Sequence, residues 1–221
     1  MTQTSFANRV EAGRSLAQAL KRYKDRDDVI VLALPRGGVP VAFEIAQALE
    51  APLDLILVRK LGVPGHKEFA MGAIASGGIR ILMHETILAL GIDEGAIADV
   101  VADEEQELKR RELAYRQSRP RPNLKDKCVI LVDDGLATGA TMRAAIAAVR
   151  EEQAKKVVVA VPVAPRETAE ALASSVDEAV FLATPTPFLA VGRWYQNFGQ
   201  TSDEEVQQLL ERAWERNTVG A

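Results

Sequence analysis

The chain has 221 residues, 27 Lys and Arg against 31 Asp and Glu, for a net charge of −4. That balance, with a pI of about 5.4, argues against a general nucleic-acid binder. The single cysteine, Cys128, excludes an intramolecular disulfide and a cysteine-built zinc site, and no apolar run reaches membrane-spanning length.

Taken in order, the first twenty residues carry charges throughout and no signal-peptide core. A soluble cytoplasmic protein is therefore expected, with residues 1–221 as one domain. Phe6, Val10, Leu16, Ala17 and Leu20 recur at helical spacing, which predicts an amphipathic helix over 6–23. Residues 29–34 are apolar and β-rich and read as a strand. They end in Pro35-Arg36-Gly37-Gly38, after which 39–49 reads as a helix. This turn suits an anion: Arg36 can form two parallel hydrogen bonds to a phosphate, and the glycines expose backbone N–H groups. Residues 53–58 read as the next strand, ending in Arg59-Lys60. The glycine-rich LGVPGHKEFAMGAIASGG that follows predicts a long mobile loop returning as a β-hairpin, with short strands over 73–76 and 79–83. His84 stands alone, without metal-ligand spacing, and receives no role. Residues 93–117 place acids early and bases late, in the sense of a helix dipole, and predict a long exposed helix covering the sheet. Arg119-Pro120-Arg121-Pro122 reads as a connector.

Residues 129–132, VILV, are too short for a helix and read as a buried parallel strand. Beside them Cys128 is expected to be a core thiol. Two acids, Asp133 and Asp134, come next, then Gly135-Leu136-Ala137-Thr138-Gly139-Ala140-Thr141, then helical spacing over 142–149. A loop at the carboxyl end of a strand and the start of a helix is where open α/β sheets bind ligands. Helix-start N–H groups favour a phosphate, Gly139 permits close approach, and Thr138 and Thr141 add hydroxyls. The acids suit ribose hydroxyls or waters on a bound Mg²⁺. Further on, 156–163 reads as a strand, 166–174 as a helix and 178–182 as a strand, which implies a mostly parallel sheet. Phe188, Trp194, Tyr195 and Phe198 make the densest aromatic stretch, and Ser202 with Glu205 marks the start of a last helix.

The run VILVDDGLATGAT resembles the phosphoribosyl-pyrophosphate (PRPP) signature of the type I phosphoribosyltransferases: aliphatic strand, acidic pair, small-residue loop with T-G-x-T. It departs at Gly135, where the pattern usually has an aliphatic residue. PRGG, VRKLGVPGHKEF and the WYQNF tail are similar to a subgroup of that family without a settled substrate.

The resemblance implies an α/β fold with a mostly parallel central sheet flanked by helices, a flexible β-hairpin loop and a small hood. The core would span about 25–183, and the hood with the C-terminal helix about 184–217. It implies Mg²⁺-dependent transfer of the phosphoribosyl group of PRPP to an unidentified base, with release of pyrophosphate. Ala137, Thr138, Gly139, Ala140 and Thr141 would bind the 5′-phosphate. Arg36, Gly37, Gly38, Arg59 and Lys60 would bind pyrophosphate. Asp133 and Asp134 would act at the ribose and hold Mg²⁺ through water, His66 and Lys67 would belong to a catalytic lid, and Trp194 and Tyr195 would stack on the base. A homo-oligomer is compatible with this reading, and a membrane or nucleic-acid partner is not expected. The alternative is a non-catalytic PRPP- or nucleotide-sensing regulator that uses the basic end of the 93–117 helix. A mononucleotide P-loop and a dinucleotide fingerprint are both absent.

Overall fold

A computed structural model describes residues 5–219, apart from the side chains at 67–68 and 217–219. Five parallel strands form the main sheet: β1 (Val29–Ala33), β2 (Leu53–Leu55), β6 (Cys128–Val132), β7 (Lys156–Val163) and β8 (Glu178–Ala183), in the order β2-β1-β6-β7-β8. These are the apolar runs of the sequence, and they are apolar because both faces of the sheet are covered. Alternate residues serve opposite faces. Val29, Val31 and Ala33 join the cluster that holds Leu16, Val41, Ile45 and Leu210. Ile30 and Leu32 join the one that holds Met142, Ile146 and Leu172. Cys128 is fully buried in the first cluster, as expected.

Helices α1 (Arg9–Ala19), α2 (Gly38–Leu49) and α7 (Asp203–Val219) lie on the first face, and α5 (Ala140–Glu151) and α6 (Arg166–Ala173) on the second. From β1 the chain turns to β2 on one side and reaches β6 on the other, so the strand order reverses between β1 and β6. Their carboxyl ends are in register, Ala33 beside Val132, and the Leu34 amide donates to the Val132 carbonyl at 2.9 Å. The loops after both strands thus open into one crevice, where α/β sheets take ligands.

The segment expected as a loop returning as a β-hairpin does return as one, and its first part is strand as well. β3 (Val58–Val63), β4 (His66–Ala75) and β5 (Ile79–Leu82) form a separate antiparallel sheet. Its glycines mark turns and tight pairing rather than looseness. Pro64-Gly65 is a two-residue hairpin turn with Gly65 at φ 77°, and Ser76-Gly77-Gly78 is a three-residue one with its glycines at φ 91° and 76°. At Gly72 a β-carbon would stand 2.4 Å from the Ile81 carbonyl oxygen. Two further differences are smaller. A short helix, α3 (His84–Leu90), starts at His84, and the first helix ends at Ala19, before a 3-10 turn at Lys21–Tyr23. The long charged helix is α4 (Glu94–Arg116), capped by the Asp93 carboxylate on the Ala96 N–H. Among the described residues no helix is long and apolar enough to cross a membrane.

Candidate active site

The loops after β1 and β6 touch. A β-carbon at Gly37 would lie 2.0 Å from Asp134 Oδ2, and one at Gly38 would lie 2.7 Å from the Val132 carbonyl oxygen. Only glycine lets these backbones approach so closely. The structure therefore brings Gly37 and Gly38 against Asp133 and Asp134, one pair from each motif. The Asp134 N–H donates to Asp133 Oδ1 at 2.8 Å. Burial pushes the Asp133 carboxyl well above the usual carboxylate range, and the neighbouring Asp134 charge adds to this. Asp134 is pushed up by burial too, against the opposing pull of the Arg9 guanidinium.

Beyond the acids, Leu136 is buried and its N–H donates to the Val163 carbonyl at 2.9 Å, so β7 anchors the turn. Ala137, Thr138, Ala140 and Thr141 are exposed around buried Gly139, which has φ 71°. The loop is held from outside its own segment. Thr168 Oγ1 of α6 donates to the Ala137 carbonyl at 2.9 Å, and Arg143 donates to the Thr138 carbonyl. Gly139 stands as N-cap of α5 and supplies no side chain. The helix start thus presents N–H groups, and Thr138 and Thr141 add hydroxyls, the kinds of donor that an anion accepts.

The other predicted residues scatter. Arg36 lies at the mouth of the β1 loop, 3.8 Å from Asp203 of α7, with over a third of its side chain exposed. Arg59 is turned to α4 instead, with its Nε 2.7 Å and its Nη2 2.6 Å from Glu104. Its charge is matched there, away from the crevice loops. Lys60 is exposed on β3. His66 is exposed beside the Pro64-Gly65 turn and lines a cavity of about 620 Å³ with Val63, Phe69, Leu90, Ile92 and Asp93. Lys67 lies in β4, but its side chain falls outside the described residues.

The aromatic expectation is corrected most. Trp194 and Tyr195 are 5% and 6% exposed and pack with Phe6, Ala12 and Val163, so neither ring offers an open face to a base. The Tyr195 hydroxyl instead donates to the Asp134 carbonyl at 2.5 Å. Phe198, stacked on Tyr195 with centroids 5.0 Å apart, is the more exposed ring of the three. The oddity at Gly135 also finds its reason: a β-carbon there would lie 2.3 Å from Val191 Cγ1. An aliphatic side chain does occupy that space, but the segment after Pro187 supplies it.

Sequence reasoning missed Val191 and, above all, Arg9. Its Nε donates to Asp134 Oδ2 at 2.8 Å, from the first turn of α1. Local spacing gave no sign of it. The one usable signal was general, that two adjacent buried acids need a cation. Among the described residues no group of three His, Cys, Asp or Glu side chains could hold a metal. Mg²⁺ asks for less, one or two carboxylates plus phosphate oxygens of a ligand, and the acid pair fits that demand.

The family described as phosphoribosyl transferase domain has a sequence model that matches residues 4–182. A Mycobacterium tuberculosis (strain H37Rv) protein named "Putative phosphoribosyl transferase Rv0571c" is 48% identical over 208 residues, which are 94% of this chain and 47% of that protein. Its counterpart in strain CDC 1551 matches equally. The chain spans about half the length of the curated relatives it matches. The crystal structure of TT1426 from Thermus thermophilus is 43% identical, with a TM-score of 0.85 over 94% of this chain and 98% of that one.

Proposed function

The chain belongs to the phosphoribosyl transferase domain family, and on that ground we propose that it transfers the 5-phosphoribosyl group of PRPP to a nitrogen nucleophile and releases pyrophosphate. The observation that carries this reading is the meeting of two anion-suited loops over one acid pair. The C1–oxygen bond to pyrophosphate breaks, a C1–nitrogen bond forms, and the nucleophile's proton leaves with solvent. The transition state has oxocarbenium character, so the protein's work is positioning and charge stabilisation.

Each group then has a place. Thr138, Thr141 and the start of α5 hold the 5′-phosphate. Asp133 and Asp134 accept ribose hydroxyls beside the developing positive charge. Arg36 and the Gly37 and Gly38 amides face the departing pyrophosphate. Asp133 and Asp134 would hold Mg²⁺, which would supply positive charge to the leaving group. His66 and Lys67 are assigned to closure over the site, Lys60 to the departing pyrophosphate, and Arg59 takes part only by exchanging Glu104 for the ligand. The acceptor remains a base or amine of unassigned identity.

The regulator alternative has less support. Its basic surface is answered from within: Arg110 and Arg111 both hold Glu107 at 2.7 and 2.8 Å, and Arg116 is buried on Asp54. The deciding experiment is a screen of bases and small amines with PRPP and Mg²⁺, following pyrophosphate release. In calorimetry, PRPP should bind more tightly with Mg²⁺. Thr138→Val with Thr141→Val should weaken it by roughly 2–4 kcal/mol through two lost hydrogen bonds to a charged group. No heat with any 5′-phosphorylated ribose would sink the proposal.

A further inference from the structure

Arg9 stands at the first position of α1, where an arginine would ordinarily point into solvent. Asn8 caps that helix by accepting the Glu11 N–H at 3.0 Å, which fixes where Arg9 leaves the backbone. The Arg9 side chain is only 12% exposed, and Asp134 opposite it 14%. Its guanidinium has three partners from two distant segments. Nε donates to Asp134 Oδ2 at 2.8 Å, Nη1 donates to the Gly199 carbonyl at 2.6 Å, and the group lies 4.0 Å from the centre of the Phe198 ring. Phe198 is itself stacked on Tyr195, whose hydroxyl holds the Asp134 carbonyl.

The oxygen that Arg9 holds is the one that faces the other loop. Asp134 Oδ2 is the atom that a β-carbon at Gly37 would strike. One carboxylate oxygen is thus fixed from two sides, by a guanidinium and by the bare backbone of the β1 loop. Arg9 gives this carboxylate one hydrogen bond, from Nε, while Nη1 on the Gly199 carbonyl and the Phe198 face fix the plane of the guanidinium, an orientation that an ammonium cannot hold. We propose that Arg9 is a positioning residue of the site: it pins the Asp134 carboxylate against Gly37 and so sets how the two ligand loops face each other. The consequence for ligands rests on the phosphoribosyl-transfer reading, whereas the pinning itself does not.

Two measurements separate these. In the ligand-free protein, Arg9→Met should speed hydrogen exchange at the Asp134 and Gly38 amides by about tenfold or more, while Val158 in β7 keeps its protection. With PRPP, calorimetry should show about tenfold weaker binding. Steady-state kinetics should show kcat falling further than KM rises, since misdirected hydroxyl contacts matter most in the transition state. Arg9→Lys should restore part of the affinity and little of the exchange protection. Should Arg9→Met fail to fold, Phe198→Leu, which removes the aromatic face beneath the guanidinium, is expected to show the same pattern more weakly. Unchanged exchange at Asp134 overturns the proposal, as does faster exchange that extends equally to Val158, because Arg9 would then be a plain stability contact. Unchanged PRPP affinity in a protein that binds PRPP overturns it too. If the parent protein binds no phosphoribosyl compound, the transfer reading fails and the exchange data alone decide the role of Arg9.

Discussion

Two carboxylates with little exposure meet arginines in this fold, and the two sites answer their charge differently. Asp54 in β2 accepts Arg116 Nε at 3.0 Å and the Leu55 N–H at 2.6 Å, while Arg116 also donates to the Leu55 carbonyl. Their side chains are 7% and 4% exposed. Arg116 Nη1 also lies 3.7 Å from Glu112, which Arg121 approaches at 4.0 Å, so each acid here has an arginine, and burial pushes the Asp54 carboxyl up as well. At the crevice two adjacent acids, Asp133 and Asp134, share one arginine, Arg9, and burial pushes both carboxyls up. The first site is finished without a ligand. The second sets two carboxyls against one arginine, and the proposed transfer would bring cationic character to it from elsewhere.

The sharpest way to break this comparison is to remove the cation from the finished site. Arg116→Met leaves Asp54 buried and unpaired, and should cost about 3–5 kcal/mol of stability in urea unfolding. PRPP affinity of the remaining folded protein should be near that of the parent. Little or no loss of stability would mean that Asp54 is relieved by protonation or water, and that the two sites do not differ in kind.

The converse change at the crevice should go the other way. Asp133→Asn removes an ionisable group whose folded form favours the proton. A carboxyl raised above its ordinary 3.8 makes the folded state bind more protons than the unfolded state. Stability therefore falls as pH rises through the window that begins near 3.8. Asp133→Asn should flatten that slope and gain about 1–2 kcal/mol at pH 7, while transfer activity is lost. A variant that is less stable than the parent at neutral pH would show the acid pair to be a structural unit like Asp54–Arg116.

How legible these two sites were in the sequence follows the same division. Apolar runs and helical periods report what neighbouring residues share, so β7 emerged at 156–163 with its observed bounds, and the two loops were placed after the right strands. Arg9 lies 125 residues from Asp134, and no local pattern joins them. Trp194 and Tyr195 were read as open faces because aromatic residues after a loop look alike whether they stack on a ligand or close a core. Only the packing of Phe6 on Tyr195, with ring centres 5.6 Å apart, decides it. The glycines of 61–78 misled in another way. Glycine marks both loose loops and tight turns, and the register of β3 on β4 is what tells them apart.

The smallest effect tests a tie between the two regions. Tyr115 precedes Arg116 on α4, and its hydroxyl donates to Asp203 Oδ1 at 2.5 Å, the same oxygen that lies 3.8 Å from Arg36 of the β1 loop. Burial pushes the Tyr115 hydroxyl up to about 12, and its hydrogen bond to Asp203 adds to the shift. With a folded value above the ordinary 10.0, the neutral hydroxyl stabilises the fold fully below that pH, and the contribution disappears as pH rises through about 12. Tyr115→Phe should therefore cost about 1 kcal/mol at neutral pH, the net worth of one hydrogen bond. The difference from the parent should stay flat up to pH 10 and shrink between 10 and 12. Asp203 is more than half exposed, so its carboxylate stays solvated in the variant and adds no further penalty. A difference that does not change over that interval would mean that Tyr115 and Asp203 are not joined. The finished site and the crevice would then share the helix α4 but no side-chain link through Arg36, and the contrast between them would be that of two independent sites.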